Sequence, residues 1–347
     1  MFVRWDNLKI EEDEGQRLPG YRDSAVVRTF DAPEALDTRF YEVRAKSMLN
    51  KVPKASQMSF SWTVNPFRGC THACEFCFAR PTHIYLGFNA REDFEREIVV
   101  KVNAPERLRA DLAKPSWKRE HVAIGTNTDP YQWVEGRYEL MPGIWQALLE
   151  ADTPCSVLTK SPLLLRDIEV MRRLAERVGF TANLSVPTLD EKTWRATEPR
   201  TPNPRARLEA VAELNRAGIP AGILIAPLMP GVNDSPEQVD ELLEAATEAG
   251  ATNIVPITLH LRGEVREIWF DWLRAQRPDL IERYERIYSR GAYANAAERK
   301  RIGKLVPRHR RGTGQPTGHT RGRDRFAPRV PVESARARAE PEQAKLF

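Results

Sequence analysis

Cys70-Thr71-His72-Ala73-Cys74-Glu75-Phe76-Cys77 places three thiols within eight residues, spaced C-x3-C-x2-C, directly after Asn65-Pro66-Phe67-Arg68-Gly69. Three thiolates on one short loop suit three irons of a [4Fe–4S] cluster and leave the fourth iron open to another ligand. The competing reading is a zinc knuckle completed by His72 or His83. A closed zinc site usually draws on a second cysteine pair, and this chain has none. Phe76, just before the last thiol, also suits a cluster loop.

Composition bounds the rest. The chain of 347 residues is long enough for one α/β barrel or two ordinary domains. Its 41% hydrophobic and 29% charged residues are ordinary for a globular protein. No apolar run approaches the ~20 residues that span a bilayer. Met1-Phe2-Val3-Arg4 leads into Glu11-Glu12-Asp13-Glu14 rather than into a basic-then-apolar signal. A cytoplasmic protein with no membrane partner is expected, and four cysteines, three of them clustered, fit a reducing compartment. The net charge of +5 is uneven: residues 299–329 hold eleven Lys/Arg and one acid, Asp324, leaving 42 basic and 47 acidic residues elsewhere. The basic excess is therefore assigned to a tail.

Three parts are expected along the chain. Residues 1–55 lack sustained periodicity and read as an irregular N-terminal extension, with a turn at Pro19-Gly20. Residues 56–305 carry alternating strand and helix patterns, and 306–347, rich in Arg, Gly, Pro and Ala, read as a disordered basic tail. Strands are expected at 60–64, 98–102, 122–125, 155–159, 180–186, 219–226 and 253–257. Helices are expected at 104–113 (with Asn103 as N-cap and Glu106 three residues on), 143–150, 163–177, 204–217, 235–249, 264–275 and 278–289. Repeated strand–helix units imply parallel pairing with right-handed crossovers. An open (β/α)6 barrel and a doubly wound sheet would both show this alternation. Functional groups of a parallel barrel lie at the C-terminal strand ends. There the sequence offers Thr126-Asn127-Thr128-Asp129, then Lys160, then Asn183 and Ser185, then Ala226-Pro227. Each has a plainer reading: Asp129 as a turn cap, Lys160 as a salt-bridged lysine, Ser185 as a backbone-bonding strand residue, His83 as a structural histidine, Cys155 as a core residue.

Taken together, the chain resembles the radical S-adenosylmethionine (SAM) superfamily, and within it the branch that contains spore photoproduct lyase, over roughly residues 60–260. The resemblance implies a partial (β/α)6 TIM-type barrel, with Cys70, Cys74 and Cys77 holding a [4Fe–4S] cluster. It places Phe76 beside the SAM adenine, Thr128 near the methionine amino group and Lys160 against SAM. Ser185 and Ala226 fall at ribose- and adenine-side positions. Arg207, Asp129 and His83 are candidates for a carboxylate or substrate contact, and no residue is singled out as catalytic. The implied chemistry is reductive: an electron from a flavodoxin- or ferredoxin-type donor passes through the cluster to SAM, giving a 5′-deoxyadenosyl radical that abstracts hydrogen from substrate. One departure stands out. Where the lyase has a hydrogen-returning cysteine, this chain has Thr126, whose O–H bond is too strong for that task. An efficient thymine-dimer lyase of that type is therefore not expected. The readings are an enzyme acting on nucleic acid in a repair-like role, one acting on a peptide or small metabolite, or a non-catalytic metal-cluster protein that binds nucleic acid.

The tail adds two partner expectations. Arg308-His309-Arg310-Arg311-Gly312 and Arg321-Gly322-Arg323-Asp324-Arg325 resemble flexible nucleic-acid-binding arms, the plain alternative being a solubilising tail. Gln343-Ala344-Lys345-Leu346-Phe347 resembles the Q-x-x-L-F peptide with which bacterial repair proteins dock on the sliding clamp.

Overall fold

The computed structural model describes residues 10–30, 37–53, 56 and 58–306. The strands among them are β1 (Ile10–Gln16), β2 (Ala25–Phe30), β3 (Arg39–Val43), β4 (Asn50–Lys51), β5 (Trp62–Val64) and β6 (Phe67–Arg68). They continue with β7 (Glu97–Lys101), β8 (Val122–Ile124), β9 (Cys155–Thr159), β10 (Phe180–Ser185), β11 (Ala221–Leu228) and β12 (Ile254–Thr258).

Six of these pair in parallel in the order β5-β8-β9-β10-β11-β12, and β4 lies antiparallel on the outer edge of β5. A doubly wound sheet reverses its strand order at a switch point. This sheet runs in chain order throughout and its end strands β4 and β12 do not pair, so it is an open, partial (β/α)6 barrel. Alternation along the strands sorts the side chains. Val122, Ile124, Cys155, Val157, Ala182, Leu184 and Ile223 join the principal core beneath the helices, where they meet Trp145, Leu174, Val211 and Leu243. Ala123, Ser156, Asn183, Ser185 and Gly222 fall on the other, inner face. Gly222 has a steric reason: a Cβ there would sit 2.3 Å from the Asn253 side chain, which crosses β11 to hydrogen-bond Asn183 at 2.8 Å.

The N-terminal region departs from expectation. It is not irregular: β1, β2 and β3 form an antiparallel run, β3 pairs in parallel with β7, and β7 pairs antiparallel with β6, making a second, five-stranded sheet. β1 to β3 lack sustained alternation in sequence, and β7, the partner of β3, lies far along the chain, so local periodicity carries little signal. The apolar run at 98–102 is real strand, but it belongs here. Ile98 and Val100 face the principal core while Val99 faces a small core of Val27, Tyr41, Val43 and Leu86. Burial on both faces explains its unbroken hydrophobicity.

Three further differences have local causes. The Asn103 side chain does not cap helix Ala104–Leu112; it exchanges two hydrogen bonds with the Ala45 backbone, at 2.7 and 3.1 Å. A short helix, Glu191–Thr197, follows β10; Asp190 caps it by accepting from Thr193 N at 2.8 Å. The basic run begins inside the fold, because Arg299, Lys300, Arg301 and Lys304 lie on helix Ala296–Leu305, where Arg301 pairs with Asp234 and Glu298. Residues 307–347, with Arg308 to Arg325 and the terminal Gln343, Leu346 and Phe347, lie outside the described residues. Among those described, no helix is long and apolar enough to cross a membrane.

Candidate cluster and cofactor site

The cysteine loop leaves β6 through Gly69, whose φ of 79° and tight surroundings (Ile98 Cδ1 at 2.9 Å from a notional Cβ) admit only glycine comfortably. Its backbone is fastened at several points. Cys70 N donates to Phe94 O at 2.9 Å and Glu75 N to Thr197 O at 3.0 Å. Gln132, fully buried, accepts from Thr71 N at 3.0 Å and donates to Gly69 O at 3.3 Å. Thr128 Oγ1 donates to Phe67 O at 3.0 Å. Buried Arg80 donates to Cys74 O at 3.0 Å and pairs with Glu95 at 2.5 Å. Satisfying the backbone in this way leaves the thiols as the loop's chemically active groups.

All three thiols are free; Cys70 and Cys74 are buried and Cys77 half-buried. Burial pushes the Cys74 thiol well up and Cys77 up to about 11; charge at Cys77 and Cys70 adds to the rise at Cys74, and charge at Cys70 to that at Cys77. Among the described residues, no three His, Cys, Asp or Glu side chains converge on a point one ion could fill. A zinc knuckle needs such convergence, whereas a cubane spreads its thiolates over separate irons. Neither histidine completes a zinc set. His83 bonds Glu97 O through Nε2 at 2.8 Å and stacks on Phe88, wedged under the loop. His72 Nδ1 faces Asp129 Oδ2 at 3.3 Å. Burial opposes the His72 charge, but Asp129 and Cys70 beside it raise its pKa to about 10. The residues present therefore fit a cluster better than a zinc ion.

Asp129 joins three pieces of chain. It accepts from Tyr131 N at 2.9 Å, Thr159 Oγ1 at 2.6 Å and Lys160 N at 2.7 Å, and pairs with His72 of the cysteine loop. Burial alone would raise its carboxyl, but the His72 charge and these donors hold it below the ordinary range. Its expected contact with a ligand gives way to the turn cap, since its oxygens are engaged by the fold.

Lys160 Nζ lies 2.5 Å from Glu198 Oε1 and 2.8 Å from Ser185 Oγ, and 5.5 Å over the Phe76 ring. Ser185 Oγ donates onward to Ala226 O at 3.0 Å. Phe76, Lys160, Ser185 and Ala226 thus meet at one end of the barrel. Arg207 does not meet them as expected. It is completely buried, and its donors go to Pro202 O, Ser185 O, Thr201 Oγ1 and Glu198 Oε2. Its guanidinium has no face for a substrate carboxylate; it reaches the site through Glu198 and the Ser185 backbone carbonyl. His83 is likewise a packing residue beneath the loop.

Sequence reasoning missed Glu198, Gln132 and Arg80 as parts of the site. Gln132 lies three residues beyond Asp129, in the same strand-end loop. Glu198 follows directly on the unrecognised helix after β10, and nothing in its neighbouring sequence marked it. Trp269, from helix Val265–Gln276, also packs here, with its ring centre 6.5 Å from that of Phe76.

Comparison with known proteins agrees with this construction. An uncharacterised protein of Mycobacterium tuberculosis is 44% identical over 297 residues, covering 84% of this chain and 87% of that relative. Spore photoproduct lyase complexed with dinucleoside spore photoproduct shares the fold, with a TM-score of 0.55 at 15% identity, covering 80% of this chain and 84% of that one. A lyase mutant with bound AdoMet (SAM) and the same dinucleoside superposes with a TM-score of 0.53 at 16% identity, covering 77% of this chain and 79% of that one. The family model described as Radical SAM superfamily matches residues 64–246, more than half of the length. The chain belongs to the radical SAM superfamily.

Proposed function

We propose that this radical SAM enzyme acts on a nucleic acid or its bases, with Cys70, Cys74 and Cys77 holding the cluster. Membership of the superfamily makes the [4Fe–4S] cluster and SAM its cofactors and a reductant its requirement. When bound, the pair supplies reductive cleavage of SAM and a species able to abstract hydrogen. The protein's own groups bind and orient. Thr128, Lys160, Ser185 and Ala226 line the SAM side, Phe76 flanks the adenine, and Gln132, Asp129 and Arg80 keep the cysteine loop in shape. Residues 56–305 are read as the catalytic core and 306–347 as an arm, with a flavodoxin- or ferredoxin-type donor in the cytoplasm.

The observation that carries the nucleic-acid reading is the shared fold with a lyase whose bound ligand is a dinucleoside. Arginine-rich 308–325 supports it, since such segments neutralise phosphates. Thr126 keeps the reaction distinct from the lyase's, for want of a thiol hydrogen donor there. The test is anaerobic assay of 5′-deoxyadenosine with and without DNA. Stimulation by DNA is expected; formation indifferent to DNA but raised by a peptide or metabolite would favour the other substrate class. Sliding-clamp docking through Gln343, Leu346 and Phe347 is checked by pulldown against a chain lacking the last five residues. Equal recovery of both chains would remove that partner.

A further inference from the structure

Lys160, Glu198 and Arg207 form a desolvated row of charges with one more cation than anion. The Glu198 carboxylate is completely buried between Lys160 Nζ at 2.5 Å and Arg207 Nη1 at 2.8 Å. Arg207 is fixed on its far side by Pro202 O, Ser185 O and Thr201 Oγ1, so it acts as an immovable anchor for Glu198. Glu198 in turn fixes the Lys160 ammonium, which lies 5.5 Å over the Phe76 ring between Cys74 and Cys77 in the chain. Glu198→Gln keeps an oxygen that accepts from Lys160, so that replacement removes the negative charge and leaves the ammonium in place. An uncompensated buried cation is costly unless an anion stands near. The thiolate-ligated cluster expected on the loop is such an anion.

We propose that the Lys160 ammonium and the Glu198 carboxylate, held beside the cysteine loop by the Arg207 anchor, set the reduction potential of the cluster bound there through their opposite charges. The inference rests on the reading of Cys70, Cys74 and Cys77 as ligands. Reduction adds one electron to the cluster, delivered by the external reductant, with no bond made or broken and no proton transferred. A fixed positive charge nearby favours the more negative, reduced state and raises the potential; a negative charge lowers it. The row therefore combines a cation that eases reduction with a carboxylate that moderates it.

The test is spectroelectrochemical titration of the reconstituted cluster without SAM, followed by electron paramagnetic resonance, with iron content measured in parallel. Glu198→Gln removes an anion and is expected to shift the midpoint potential upward. Lys160→Gln removes the cation and is expected to shift it downward, with Glu198 still paired to Arg207. The double variant restores the wild-type charge count and is expected to return toward the wild-type value. A merely structural role would disturb both single variants in the same sense, or leave the potential alone, and either result overturns the proposal. If Glu198→Gln fails to fold, Lys160→Gln decides alone: an unchanged potential there overturns it and a downward shift supports it. Wild-type protein that takes up no cluster sinks the reading of the cysteines together with this inference. A loaded cluster indifferent to these substitutions sinks only the inference.

Discussion

At the scale of single residues, the site depends on a few side chains that never touch a ligand. Gln132 holds the cysteine loop by both an N–H and a C=O. Gln132→Leu keeps the volume but leaves Thr71 N and Gly69 O unpaired in a buried place, at a cost of about 1–3 kcal/mol. The expected result is a lower urea midpoint and faster loss of iron on gel filtration; unchanged iron retention would show the clamp to be dispensable. Arg207 is the clearer case of a residue whose type suggested binding and whose surroundings show anchoring. Arg207→Met strands the Glu198 carboxylate with Lys160 alone. Breaking a buried charge pair in this way costs about 3–5 kcal/mol. Chemical denaturation should register that loss. If stability held while only SAM affinity fell, the ligand-contact role would have to be restored to Arg207.

At the scale of elements, β7 shows what a sequence can and cannot reveal. Its apolar run marked a strand correctly, yet nothing local said that it would pair with β3 across 58 positions and build a second sheet. The barrel strands were legible because each is a short buried run between amphipathic helices. Cys155–Thr159 fell where its alternation and flanking signals put it. The strand-end residues Lys160 and Ser185 were legible for the same reason, since barrel geometry fixes which ends face the site. Glu198 and Arg207 were not legible as a pair, because their meeting depends on a loop geometry that periodicity does not encode. The same β7 carries a testable pH effect. Burial, with Arg68 nearby, lowers the Lys101 pKa to about 7, and its ammonium donates to Asn65 O at 2.6 Å. Between about pH 7 and the unfolded lysine value near 10.4, the unfolded chain binds the proton and the folded chain does not, so this group makes stability rise with pH. Below pH 7 both states bind it and the slope from Lys101 vanishes. Lys101→Met should abolish that rise, worth a few kcal/mol in order of magnitude, and stabilise the protein at neutral pH. A denaturation series from pH 6 to 10 with identical slopes for both proteins would contradict this assignment.

At the scale of the whole molecule, two sheets share the stretch between β5 and β7, and the cysteine loop hangs from that junction. β5 leads out of the barrel, β6 enters the second sheet, and the loop follows at once. The loop is thereby fixed to both sheets, while the strand ends of β8, β9 and β10 supply Gln132, Asp129, Lys160 and Ser185 from the barrel side. This is the arrangement that a bound cluster facing a polar cofactor requires, with functional groups held on rigid elements.

The central claim is that three cysteines of this loop hold a cluster that cleaves SAM. It is tested most directly by anaerobic reconstitution with iron and sulfide, followed by iron counting and assay of 5′-deoxyadenosine on reduction. The account predicts a brown protein with about four irons per chain that forms 5′-deoxyadenosine, and loss of both properties when any one of Cys70, Cys74 or Cys77 becomes alanine. A colourless, zinc-loaded protein inert toward SAM, or full cluster content in a Cys74→Ala chain, would contradict it.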